Sequence, residues 1–111
     1  MNWRILASSD DLNGAVAESF KHPVALFKHS TRCSISSAAK DRMERHWNFS
    51  EEQLPAYYLD LIKYRDLSNE IASLTGIRHE SPQLIILKDG KPVYNASHME
   101  VNPKYIPNNI L

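Results

Sequence analysis

The chain has 111 residues, 42% of them hydrophobic, and 13 basic side chains against 13 acidic ones for a formal charge of zero. At this length roughly two-thirds of the unfolded surface can be buried, so a single domain over residues 1–111 can form a core without disulfides or a structural metal. The single cysteine, Cys33, excludes an intramolecular disulfide and Cys-rich zinc modules. Zero net charge argues against nucleic acid or an anionic membrane surface as a partner.

Nothing in the sequence approaches the apolar run of about 18 residues that a membrane span needs, and the polar stretch Ser8-Ser9-Asp10-Asp11 follows close on the start, which together predict a cytoplasmic protein. From Ser9, the positions Leu12, Ala15, Val16 and Phe20 recur at helical spacing behind a Ser/Asp start suited to capping, so the first element is a helix. Val24-Ala25-Leu26-Phe27, opened by Pro23, is a continuous apolar run of the kind found in strands buried on both faces. It is expected to end in a polar turn, Lys28-His29-Ser30-Thr31. Ile35, Ala39, Met43 and Trp47 then mark one helical stripe, with Cys33 at the start of that helix and Lys40, Arg42, Glu44 and Arg45 left for solvent.

Ala56-Tyr57-Tyr58-Leu59 reads as a second strand. Leu67, Ile71 and Leu74 mark a third helix that Gly76 stops. Gln83 to Leu87, led by Pro82, is a third strand, and Asp89-Gly90 before Val93-Tyr94 signals a hairpin because both turn residues tolerate positive φ. Pro103 and Pro107 keep any last helix short. The order α-β-α-β-α-β-β predicts a parallel βαβ unit plus a hairpin: an α/β fold with a mixed sheet of about four strands and helices on both faces.

With three glycines in the chain there is no phosphate-binding loop or dinucleotide fingerprint, and metalloprotease and serine-hydrolase motifs are absent. His22, His29 and Cys33 are spaced too irregularly across a strand, a turn and a helix start to converge on a metal, so no metal site is expected. His98 is expected to face solvent or cap a turn. Cys33 differs because of its position. A thiolate at a helix N-terminus is stabilised by the free N–H groups of the first turn, and residues 21–46 carry a net charge of +4, including Lys28 and Arg32. These features predict a reactive thiol rather than a small buried hydrophobe.

The segment Leu74-Thr75-Gly76-Ile77, then Ser81-Pro82, then Gln83 to Gly90, resembles the helix, glycine stop, cis-proline and hairpin of the thioredoxin fold. The stretch Lys28-His29-Ser30-Thr31-Arg32-Cys33-Ser34-Ile35-Ser36, with His79-Glu80-Ser81-Pro82-Gln83 and Ala96-Ser97-His98, resembles the YtxJ-like monothiol bacilliredoxin family. Dithiol thioredoxins carry a second cysteine where this chain has Ser36. The resemblance implies a thiol-disulfide oxidoreductase in which Cys33 removes bacillithiol from protein mixed disulfides and is regenerated by a second thiol. It implies no tightly bound cofactor, bacillithiol as the exchanging thiol, and bacillithiolated proteins as partners. It further implies that Pro82 is in cis and that the Ser81 backbone pairs with the bound thiol; Thr31 and Arg32 are expected to join Ser81 and Pro82 in binding it, with Arg32, which adjoins Cys33, the first choice for the malate carboxylates of bacillithiol. Ser36 is expected to support Cys33, its hydroxyl donating to the thiolate. Two other readings stay open. One is a monothiol glutaredoxin-like protein using another thiol such as glutathione, or holding an iron–sulfur cluster, although such proteins resemble C-G-F-S at this turn. The other is a thioredoxin-fold redox sensor or adaptor in which Cys33 is only modified.

Overall fold

A computed structural model describes residues Met1–Leu111. The elements run β1 (Trp3–Ile5), α1 (Ser9–Glu18), β2 (Val24–His29), α2 (Ser34–His46), β3 (Ala56–Asp60), α3 (Arg65–Thr75), β4 (Gln83–Lys88) and β5 (Lys91–Ser97), followed by three 3-10 turns in the C-terminal tail. The sheet has five strands in the order β1-β3-β2-β4-β5. β1 and β2 run parallel to β3, whereas β4 runs antiparallel to β2 and β5. The strand added to the expected four is β1. Its three residues are too few for a readable alternation, and Ile5 remains 58% exposed at the sheet edge.

Local chemistry explains most boundaries. The Ser8 hydroxyl accepts the Asp11 N–H at 3.1 Å and caps α1, with Asp10 and Asp11 in its first turn. Gly76 ends α3 in the left-handed conformation at φ 71°, where its missing Cβ removes the steric penalty. Asp89 and Gly90 turn β4 into β5 with φ of 54° and 76°, the pattern of a tight hairpin turn.

β2 explains the two-layered core. Val24 and Leu26 join Leu12, Leu67 and Ile71 under α1 and α3. Ala25 and Phe27 join Ala39 and Met43 under α2, where Val101 and Ile106 of the tail close the layer. Each fully buried Leu or Phe contributes about 1.5–3 kcal/mol by transfer from water, so both layers are needed to hold the sheet.

Three expectations change in this frame. β2 does not stop at Phe27: pairing with β3 and β4 carries it through Lys28 and His29, and both are buried. On α2 the buried stripe is Ser36, Ala39 and Met43, while Ile35 is 50% exposed. Phe20 and Leu74 also turn to solvent: Phe20 lies beyond the end of α1, and Leu74, although it shares the Leu67–Ile71 face by spacing, falls in the last turn of α3. No helix is long and apolar enough to cross a membrane.

Candidate functional site

Parallel β2 delivers the chain to the end of the sheet and into α2, and Cys33 sits at that junction as the N-cap of α2. Its backbone N–H donates to the Ser30 carbonyl at 3.2 Å and its carbonyl accepts the Ser37 N–H at 3.0 Å, so the turn is tied on both sides of the thiol. No side chain caps the helix and no acidic residue stands in its first turn. The orphan N–H groups and the positive end of the helix dipole are thus left to the half-buried thiol. Thr31 and Arg32, before it, are exposed to solvent.

The Ser81–Pro82 peptide bond is cis. Pro82 leads into Gln83, whose Cα partner on β2 is Lys28, so the proline loop and the Cys33 turn leave the same end of two adjacent strands. The Pro82 carbonyl accepts the His98 N–H at 3.0 Å, and Arg42 of α2 donates to the His98 and Val101 carbonyls at 3.1 and 3.0 Å. Helix α2 and the proline loop are therefore joined through the turn that follows β5. The exposed His98 ring meets Glu80 at 3.3 Å, in keeping with a surface role.

Ser36, three residues after Cys33, is fully buried. Its hydroxyl accepts the Ser30 N–H at 3.0 Å and shares a bond of 2.6 Å with His29 Nδ1. Those partners correct the expectation that the hydroxyl serves the Cys33 thiolate: it braces the turn beneath the thiol instead. His29 stacks on Phe27 with ring centroids 5.9 Å apart, and burial first, then Lys40, pushes its imidazole toward the neutral form.

Lys28 also departs from expectation. Its side chain is buried and turned toward α3, where Nζ donates to the Ser68 carbonyl at 3.1 Å and meets His79 Nδ1 at 3.3 Å. It adds no exposed charge beside Cys33, which leaves Arg32 as the nearest exposed cation in sequence. A depression of about 410 Å³ between α2 and Tyr58 of β3 includes Thr31, Ser37 and Lys40 in its lining, but Asp41 and Glu44 line it too. Lys40 is already paired with Glu44 at 3.0 Å. Two carboxylates and a neutralised lysine make that depression a poor seat for an anion. No cluster of three or more His, Cys, Asp or Glu side chains has the arrangement of a metal site.

Sequence reasoning missed Lys28, His29, Ser68 and Gln83 as buried polar residues of this region. The available signal was the strand alternation: continued past Phe27, it sends Lys28 to the α3 face and His29 to the α2 face.

A family model described as monothiol bacilliredoxin BrxC matches residues 4–106. Among solved structures, a proposed oxidoreductase with a thioredoxin fold is 33% identical, with a TM-score of 0.79 over 92% of this chain and 88% of that one. The thioredoxin of Fasciola hepatica superposes with a TM-score of 0.73 at 17% identity, covering 96% of this chain and 95% of that one. Thioredoxin from Malassezia sympodialis gives 0.72 at 15% identity, over 93% and 83%. The last two share the fold.

Proposed function

The chain belongs to the monothiol bacilliredoxin family, thiol redox proteins of thioredoxin fold, and from that membership we propose that it removes bacillithiol from protein mixed disulfides in the cytoplasm through Cys33. The observation that carries the reading is the pair formed by Cys33 at the N-cap of α2 and the buried serine three residues later. The turn holds the Cys33 thiol half-buried at the uncapped N-terminus of α2, and Ser36 cannot resolve a disulfide.

In the first step the Cys33 thiolate attacks the bacillithiol sulfur of the mixed disulfide. A bond forms between Cys33 Sγ and that sulfur, the old sulfur–sulfur bond breaks, and the client leaves as a thiolate that takes a proton from solvent. A second low-molecular-weight thiol then attacks the Cys33 disulfide, releasing bacillithiol as a disulfide with that thiol and restoring Cys33. The Ser81 backbone beside Pro82 pairs with the bound thiol, and Thr31 lines the approach. Arg32, exposed and next to the nucleophile, meets the malate carboxylates.

The test is intact-mass spectrometry after one encounter with a bacillithiolated protein in the absence of reductant. The protein should gain the mass of one bacillithiol, lose it when free bacillithiol is added, and do neither as Cys33→Ser. Continued turnover of client without added thiol, or equal transfer from a glutathionylated client, would refute the assignment. Thiolation that added thiol never reverses would favour a sensor over an enzyme.

A further inference from the structure

Lys28 is the only Lys, Arg, Asp or Glu among the buried residues, with 0% exposure. Taking an ammonium out of water costs several kcal/mol unless its donors are satisfied, and an apolar side chain would fill the same space without that cost. No carboxylate compensates. Burial alone pushes the lysine down to about 8, and its partners are the Ser68 carbonyl and His79 Nδ1.

These partners join α3 to the loop between Gly76 and Gln83. An ammonium only donates, so Nδ1 of His79 accepts and the neutral ring carries its proton on Nε2. Burial, then Lys28 and Arg65, hold His79 toward that neutral form, while Glu80 opposes them. Ser68 Oγ lies 3.1 Å from the same nitrogen. Gln83, the cross-strand partner of Lys28, donates from Nε2 to the Arg78 carbonyl at 3.0 Å. Adjacent side chains of β2 and β4 thus grip adjacent residues of one loop, three to four positions before Pro82. Two buried polar atoms here lack a partner, Ser81 Oγ and Gln83 Oε1, and they flank Pro82 on either side. The loop is anchored from beneath while polar capacity next to the proline stays unused.

We propose that Lys28 is a positioning residue for thiol exchange: its ammonium ties His79 to α3 and so holds the loop in the arrangement that offers the Ser81 backbone to the incoming thiol. The inference rests on the bacilliredoxin reading of Cys33 given above. The groups in contact with the ammonium are the Ser68 carbonyl on α3 and His79 on the loop, with uncharged Gln83 paired opposite it on β4, while the charges of Arg65 and Glu80 act on His79. None supplies a compensating charge in contact, so loss of the lysine proton removes the charge-assisted half of the grip.

Two measurements on the whole protein test this. In the first, the backbone amide shifts of Arg78 and His79, the two loop residues gripped from β4 and β2, are followed by NMR from pH 6.5 to 9.5. They should inflect near pH 8 in the wild type, and not in Lys28→Met or His79→Ala. In the second, steady-state transfer from a bacillithiolated protein should show KM raised about tenfold in both variants, the loss of roughly one hydrogen bond to a charged group, with kcat within about twofold. His79→Gln, whose amide oxygen can still accept from Lys28, should recover most of the lost affinity, and it keeps the proposal testable should Lys28→Met fail to fold. Wild-type KM in His79→Ala, no recovery in His79→Gln, or wild-type amides that do not inflect would each overturn it. A wild type that inflects but transfers no bacillithiol would instead defeat the bacilliredoxin reading, and with it the role of Lys28 in exchange.

Discussion

Replacing Ser36 with Ala removes one oxygen from the turn that carries Cys33, and the structure sets the size of the effect. The hydroxyl is fully buried and makes two bonds, with the Ser30 N–H at 3.0 Å and with His29 Nδ1 at 2.6 Å. Each neutral bond contributes roughly 0.5–1.5 kcal/mol net. His29 is itself only 4% exposed, so water cannot readily replace the serine and the upper half of the range applies. The expected loss is about 2 kcal/mol. With about 2.1 cal/mol/K per residue of unfolding entropy over 111 residues, that corresponds to a fall in Tm of roughly 9 °C. Urea denaturation and calorimetry at pH 7 measure it directly. Because the hydroxyl bonds to the turn and not to Cys33, transfer by the folded Ser36→Ala variant should slow by less than about tenfold. A stability change under about 0.5 kcal/mol would refute the bracing role. Unchanged stability with a collapse in exchange rate would restore the direct contact with the thiolate.

The Glu18 carboxyl offers a pH-dependent test: burial would raise it, but hydrogen bonds from Tyr57 and Arg4 outweigh burial and hold it below its ordinary value of 4.5. A carboxyl lowered on folding stabilises the protein above its unfolded pKa, and that contribution fades as pH falls below 4.5 through the folded value. Tyr57→Phe should cost about 1 kcal/mol at pH 7, a figure kept low because the Arg4 side chain is 37% exposed, and the deficit should shrink toward pH 3 in urea midpoints. A deficit that grows toward pH 3 would contradict the assignment. For recognition, Arg32→Glu should raise KM for a bacillithiolated protein by about tenfold or more at low salt, and much less at 0.5 M salt, while leaving the folding midpoint unchanged; a salt-independent KM would take Arg32 out of the ligand site.

Much of the fold was legible because apolar spacing and turn chemistry agreed at each step. The Ser8 cap, the Gly76 stop and the Asp89-Gly90 turn are local devices, so a local reading finds them. β1 was not legible: three residues pairing with β3 derive their order from the partner strand, and no pattern of their own announces it. Cys33 at a helix start could be read from residue types alone. The cis bond before Pro82 entered only through the family resemblance, since a proline opening a strand is equally consistent with trans. The partners of Ser36 were misplaced for a different reason: the thiol is its neighbour one helical turn away, whereas His29 reaches it only because β2 runs two residues longer than its apolar run.

Those two residues show how one strand serves both halves of the site. Lys28 and His29 are consecutive, so the pleat sends them to opposite faces of the sheet. His29 meets Ser36 and braces the turn under Cys33, while Lys28 meets Ser68 and His79 under the proline loop. Valine or isoleucine at either position would extend the apolar run and bury more favourably. A sequence that instead places a lysine and a histidine there, each with hydrogen-bond partners, departs from the core pattern at the strand end next to which the Cys33 turn and the proline loop both lie. A departure of that kind is expected where chemistry competes with packing. It accounts for why the polar strand end reads as a turn by composition and yet is among the most buried segments of the protein.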